Sequence, residues 1–279
     1  MSNKKVNKIL KLSLLLAIVV VLSACANINE PITNDSSNLL DQFVLYPFSQ
    51  FIVWLSGLMG HNFGLGIISL TLLIRLLLTP LTLMQMKSQN KIMELQPEIE
   101  AIKAKYPHKD RHSMELLQAE QQELFDEKGV NQFAGCLPTL IQLPILMALY
   151  QVISRTELIR QGQFLWVDLG QPDPYFIFPL LAALFTFLST YLSSKANPQQ
   201  NVSMKIMMIT MPIMIFSISF ALPSAVSLYW FISNLITVII ILIFNNPYKM
   251  IKERQERIAH EKEKERQLRK ALKKVKSRK

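Results

Sequence analysis

The run from Phe63 to Leu83 constrains this chain more than any other stretch. It is apolar, and it has roughly the 20 residues that a helix needs to cross a bilayer. Yet Arg75 sits near its middle. A charge at the centre of a spanning helix costs at least about 2.5–3.5 kcal/mol on insertion scales. Such a residue snorkels to an interface, pairs with a buried acid or faces water. Snorkelling is strained here, because Arg75 lies about eight residues from the edge at Leu83, roughly 12 Å deep at 1.5 Å per residue. The search for an acid runs along the whole chain.

Half of the 279 residues are hydrophobic, and the formal charge is +10. The apolar residues come in long runs, as in membrane proteins. Lys4, Lys5, Lys8 and Lys11 precede the apolar run Leu12 to Leu22, which leads into Ser23, Ala24 and Cys25. A basic region, a short apolar region and small residues before a cut site make a signal peptide. Leu22-Ser23-Ala24-Cys25 resembles a bacterial lipobox. That form implies a signal peptide over residues 1–24 and a lipidated Cys25 as the first mature residue. The alternative is a membrane anchor that ends on a cysteine by chance. Residues 26–58 contain Glu30, Asp35 and Asp41 but no Lys or Arg, as an external segment should. Phe43 to Leu58 reads as an amphipathic helix lying in the outer interface. Phe51 to Leu58 reads equally well as the start of the first span.

Beyond Leu83, residues 84–132 are polar with helical periodicity, broken at Tyr106-Pro107-His108. They predict a cytoplasmic helical hairpin. Four more spans follow: Gly135 to Ser154, Pro174 to Leu192, Ile206 to Leu222 and Ala225 to Phe244. The external connection between the second and third carries Phe164, Leu165 and Trp166, suited to an interface belt. Five spans that start outside leave residues 248–279 in the cytoplasm. The basic character of that tail agrees with the positive-inside rule.

None of the five spans contains Asp, Glu or His. Arg75 therefore lacks a buried counter-ion of its own chain, and hydration remains: it faces a water-filled cavity. Thr71 and Thr79 stand one turn either side and share its face. Gln142, Ser227, Trp230, Ser233 and Asn234 supply either further polar wall or bonds between helices. The same absence argues against catalysis, since a proton-coupled pump uses a carboxylate or histidine relay in its spans. No phosphate-cradling glycine loop and no His-Glu-x-x-His pair occurs. His61, His108, His112 and His260 lie outside the spans, and Cys136 reads as a packing thiol. No enzymatic activity, metal or cofactor is expected.

Several motifs in order carry a family resemblance. Span one ends Ile74-Arg75-Leu76-Leu77-Leu78-Thr79-Pro80-Leu81, followed by Gln96-Pro97. Span two begins Gly135-Cys136-Leu137-Pro138 and continues through Gln142-Leu143-Pro144. Asp173-Pro174-Tyr175, Met211-Pro212, Pro223-Ser224, Leu228-Tyr229-Trp230 and Ser233-Asn234 complete the set. Over about Leu45 to Tyr248 the chain resembles the YidC/Oxa/Alb membrane protein insertase family, in its lipoprotein-type Gram-positive form.

The resemblance implies an all-α integral membrane protein. Its core would be five transmembrane helices, with a cytoplasmic hairpin and a hydrophilic groove open to cytoplasm and lipid. The divisions would be 1–24 signal peptide, 25–58 external segment, 59–247 core with hairpin 84–132, and 248–279 basic tail. Arg75 would be the groove arginine, with Thr71, Gln142, Tyr229 and Trp230 on the wall. Where relatives carry a glutamine in span three, this chain has Leu188-Ser189-Thr190, so Ser189 or Thr190 takes that place. The implied function is insertion, folding and assembly of newly made membrane proteins, alone or with the Sec translocon. Implied partners are nascent membrane proteins, the Sec translocon, the bilayer and the ribosome, the last through the basic tail. That tail could hold ribosomal RNA or anionic lipid. A small-molecule substrate is not expected, although an anion transporter built on Arg75 and a scaffold beside the Sec channel are the rival readings.

Overall fold

The computed structural model describes residues 30–276 apart from 35, 37, 109, 132–136 and 196–201, and for 137–139, 202–204 and 271–276 it describes the backbone alone. The signal peptide, Cys25 and Cys136 lie outside the described residues. A π-helical stretch α1 (Asp41–Leu45) runs directly into α2 (Tyr46–Leu58), which Pro47 opens at a position where a missing N–H is harmless. The long helix α3 (Phe63–Glu94) starts at Asn62, whose side chain accepts from the Leu65 amide at 3.0 Å.

The predicted first span ends near Leu83, yet α3 runs on to Glu94. Pro80 lies inside it without ending it. Its missing amide would have met the Leu76 carbonyl; on either side of that carbonyl the Thr79 hydroxyl donates to the Arg75 carbonyl at 2.7 Å, and Thr82 to the Leu78 carbonyl at 3.0 Å. The break comes at Gln96-Pro97, where the proline suits the first turn of a new helix. The hairpin proper is therefore α4 (Gln96–Lys105) and α5 (Arg111–Glu127). Its own small core joins Leu95, Ile99 and Ile102 to Leu124, Phe125 and Val130. Asp110 caps α5, accepting from the Ser113 amide at 2.9 Å and the Ser113 hydroxyl at 2.7 Å. These bonds hold its carboxyl below the usual carboxylate range.

The remaining apolar helices are α6 (Leu137–Arg155), α8 (Ile177–Lys195), α9 (Val202–Ala221) and α10 (Ser224–Phe244). Helices α3, α8 and α10 are long and apolar enough to cross a membrane, and α6 and α9 are apolar over Leu140–Arg155 and Lys205–Ala221. Between α6 and α8 lie α7 (Glu157–Arg160) and a two-stranded hairpin, β1 (Gln163–Phe164) with β2 (Val167–Asp168). Gln163 pairs with Asp168, and Phe164 with Val167. The tail is a helix, α11 (Pro247–Lys276), separated from α10 at Asn245-Asn246. The Asn246 side chain accepts from the Tyr248 amide at 3.0 Å and starts the new helix.

The main core sits at one end of the bundle. It joins Ile52 and Leu55 of α2, Ile67 and Leu70 of α3, Val152 and Ile153 of α6, and Ala225 to Trp230 of α10. The connection 159–176 folds over this end. The Ser224 amide donates to the Gln171 carbonyl at 2.7 Å and the Ala225 amide to the Leu169 carbonyl at 3.1 Å. Two of the amides that every helix start leaves orphaned are thereby satisfied. Asp173 caps α8 through the Phe178 amide at 2.8 Å and accepts from Trp166 Nε1 at 3.0 Å. Of the three residues suited to an interface belt, Phe164 instead turns inward and packs on Gly64, while Leu165 is exposed.

Candidate functional site

Burial along three helices stops at one level. In α3 the buried positions are Gly64, Gly66, Ile67, Leu70 and Thr71, and none follows until Gln85. In α10 the run Ser224 to Trp230 is buried without a gap, and only scattered positions follow. In α6 the order is reversed along the chain: Leu140 to Ala148 are partly or fully exposed, and burial begins at Leu149. Arg75 is one turn beyond Thr71, and Gln142 lies in the open part of α6. Closed packing at one end thus gives way to open walls at the other, and the polar residues gather just inside the open part.

Those residues form a connected row. Arg75 Nε donates to Ser233 Oγ at 2.7 Å, and Nη2 donates to the same oxygen. Ser233 lies one turn from Tyr229 on α10, on the same face. Gln142 Nε2 donates to the Tyr229 hydroxyl at 2.7 Å, which joins α6 to α10. The row therefore runs Gln142, Tyr229, Ser233, Arg75 across three helices. Among the described residues Arg75 is in no ion pair. Its guanidinium carries five donors, and the two that meet Ser233 leave three.

The other named positions fall differently. Thr71 is fully buried, and its hydroxyl turns back to the Ile67 carbonyl at 2.7 Å. It closes the end of the open part and directs no polar group into it. Trp230 is 8% exposed and lies in the core beside Tyr229. Asn234 donates to the Trp230 carbonyl of its own helix at 3.0 Å. Ser227 donates to the Ser219 carbonyl at 3.3 Å and so joins α10 to α9. Ser189 and Thr190 both donate to the Thr186 carbonyl of α8. Ser233 is the partner that the sequence names only among several candidates. Its spacing of four from Tyr229 was the available signal.

The site sits within a chain that comparison places clearly. The model of the family described as "60Kd inner membrane protein" matches residues 54–254. The chain is 45% identical over 264 residues to "Membrane protein insertase YidC 2" of Listeria innocua, covering 95% of this chain and 92% of that one. It is 46% identical over 268 residues to "Membrane protein insertase YidC" of Enterococcus faecalis, covering 96% of each. It is 42% identical over 240 residues to "Membrane protein insertase MisCA" of Bacillus subtilis, covering 85% of this chain and 92% of that one. The solved structure described as "Active YidC insertase crystal structure with the first transmembrane domain resolved" matches with a TM-score of 0.58 at 33% identity. That match covers 80% of this chain and 50% of the solved one, so this chain spans half the length of that protein. The chain belongs to the 60Kd inner membrane protein family, that of the YidC insertases.

Proposed function

We propose that this chain inserts newly made membrane proteins into the bacterial membrane, and helps them fold and assemble, through the open part of the bundle around Arg75. The observation that carries this reading is a half-buried guanidinium held by one neutral serine, in helices whose spans hold no acid. Three spare donors retain water and attract an acidic or polar segment. At reduced dielectric that attraction exceeds its value in bulk water. The apolar part of the client then leaves between helices into lipid, driven by transfer of order 25 cal/mol per Å². The chain's own residues bind and release; no bond is made or broken. Gln142, Tyr229 and Ser233 form the polar wall, and Thr71 and Trp230 its closed end.

The orientation follows from charge. The closed end faces outward, with Cys25 as the lipid anchor after removal of residues 1–24, and α11 lies in the cytoplasm. Helix α2 lies in the outer interface: Phe51 and Trp54 stack with centroids 5.6 Å apart on its exposed side, while Ile52 and Leu55 pack inward. The hairpin α4–α5 receives the nascent chain. The basic positions of α11, among them Lys262, Arg266, Arg269 and Lys270, meet ribosomal RNA, and the Sec translocon shares some clients.

The test is photocrosslinking from position 142 to a stalled single-span nascent chain, in membranes carrying Arg75 or Arg75→Ala. The expected result is a crosslink to the client that Arg75→Ala weakens together with insertion. A crosslink and normal insertion that both survive the substitution would make Arg75 dispensable. No crosslink in either membrane would move the work to the lipid-facing helices and favour a scaffold role.

A further inference from the structure

A buried ion pair holds the end of α6 that the core closes. Arg155, the last residue of α6, donates Nη2 to Asp41 Oδ2 at 2.5 Å and Nη1 to Asp41 Oδ1 at 3.1 Å. Its Nε donates to the Glu30 carbonyl at 2.6 Å, and Nη1 also reaches Gln151 Oε1 at 3.3 Å. Both charged side chains are 4% exposed. One guanidinium thus ties together the chain at Glu30, helix α1 and helix α6. Beneath it Val152 and Ile153 are wholly buried.

Such a pair is a poor source of stability. Taking each ion out of water costs several kcal/mol, which their attraction offsets only with good geometry, whereas apolar residues of similar size often do as well. What the pair specifies is which segment lies there and in what register. Aromatic and aliphatic side chains abound in residues 39–59 and could slide over α6 in several registers. A fork that fits one carboxylate cannot. The loop cap over α10 uses different groups: the carbonyls of Leu169 and Gln171 accept from the Ala225 and Ser224 amides, and the Asp168 carbonyl accepts from the Ser224 hydroxyl at 2.6 Å. The closed end is therefore built from two covers with separate fastenings.

We propose that Asp41 and Arg155 form a clasp that keeps Glu30 and helix α1 over the outer end of α6, as a cover that closes independently of the loop over α10. The word "outer" rests on the orientation given under the proposed function. The test is labelling of intact cells with a membrane-impermeant maleimide, in full-length protein with Cys136→Ser. One reporter is Val152→Cys under the clasp, and the other is Val226→Cys under the loop; both positions are 0% exposed. The parent with neither reporter gives the background. With Asp41→Asn, labelling at 152 rises at least fivefold while 226 stays closed. The exchange Asp41→Arg with Arg155→Asp returns 152 to the parental level.

Labelling at 152 that is unchanged both in intact cells and in inverted vesicles overturns the clasp. So does a joint rise at 152 and 226, which would mean that the whole end has loosened, and so does an exchange as open as the single variant. Should Asp41→Asn fail to accumulate, Arg155→Lys decides. It keeps the charge and loses the fork, so a rise confined to 152 supports the clasp and no rise overturns it. A rise seen only in inverted vesicles would overturn the orientation while leaving the clasp supported.

Discussion

The two ends of the bundle use the same helices for opposite purposes. At the closed end, α2, α3, α6 and α10 meet through small residues and full burial: Gly64 under Phe164, Gly66 under Ser56, Ala225 and Ser227 wholly inside. At the open end α3, α6 and α10 show half-exposed walls, with a small cluster of Leu192 from α8 and Val238 and Ile241 from α10. Between lipid-embedded helices the hydrophobic effect supplies little, so close approach of small residues and exchanged hydrogen bonds do the joining. Where those are withheld, helices stay apart and polar groups can be wet. The closed end thus holds the frame that lets the open end carry a charge.

The sharpest way to break that division is to fill the closed end. A Cβ at Gly64 would overlap the Phe164 ring, and one at Gly66 would meet the Ser56 backbone Cα at 3.2 Å. Gly64→Ile must expel the ring from its seat or separate the connection from α3. Overpacking typically costs about 1–3 kcal/mol, and losing the Phe164 contacts adds to it. The expected outcome is a melt in detergent lowered by roughly 4–10 °C or more, with poor accumulation in cells. Gly57→Ala, where a Cβ meets only His61 Cε1 at 4.0 Å, serves as the control and changes little. Equal melts for the two would show that close approach does not hold this end together.

The next effect separates stability from work at the open end. Arg75→Met removes a half-buried cation whose side-chain partner among the described residues is the neutral Ser233, so the melt stays level or rises. Insertion of an acidic single-span client falls about tenfold, equivalent to about 1.4 kcal/mol. Stability and activity moving in opposite directions is the expected signature of a functional residue kept at a structural cost. Arg75→Lys keeps the charge and loses the fork, so it retains part of the activity. A melt that collapses with Arg75→Met would make the arginine part of the frame.

Much of this was legible from the chain. Arg75 announces itself because an arginine in an apolar helix needs a reason, and the absence of spanning acids can be checked letter by letter. The helical hairpin with its break at Tyr106-Pro107 and the five apolar helices follow from periodicity and proline chemistry, whereas the second break at Gln96-Pro97 was read as the interior of the first arm. What stayed hidden depends on long-range register. No local rule pairs Asp41 with Arg155, since their separation exceeds 100 residues and each reads alone as an ordinary loop charge. Nor does any rule say that the Thr71 hydroxyl turns to its own helix while Ser233 turns to Arg75. The extension of α3 to Glu94 was obscured because the apolar run ends near Leu83 and the chain turns polar there, which marks the edge of a span and not the end of a helix.

A smaller effect tests whether the polar row couples α6 to the rest. Tyr229→Phe keeps the ring in the core and removes the oxygen that Gln142 meets. Hydrogen bonds between membrane helices average about 0.6 kcal/mol, so the melt shifts by a few degrees at most. A cycle of Tyr229→Phe with Gln142→Leu should return a coupling of about that size. It should vanish when Gln142 is paired with Ser227→Ala, which serves α9 instead. Coupling near zero in both cycles would mean that the open end of α6 is held by packing alone.

The smallest effect falls on the boundary itself. Thr71 lies at the level where burial ends, and its hydroxyl bonds the Ile67 carbonyl, a group that the helix ladder already engages. Thr71→Val keeps the branched shape and removes only that redundant bond, so stability changes by a few tenths of a kcal/mol, as for substitutions that touch no critical feature. Insertion should likewise stay within about twofold of the parent, in contrast to the tenfold loss at Arg75 one turn away. The comparison is made with both variants in the same membranes and with the same client. A loss at Thr71→Val approaching that of Arg75→Met would show that the hydroxyl leaves Ile67 during the working cycle and faces the client. The boundary between the sealed and open ends would then move outward by a turn when a client enters.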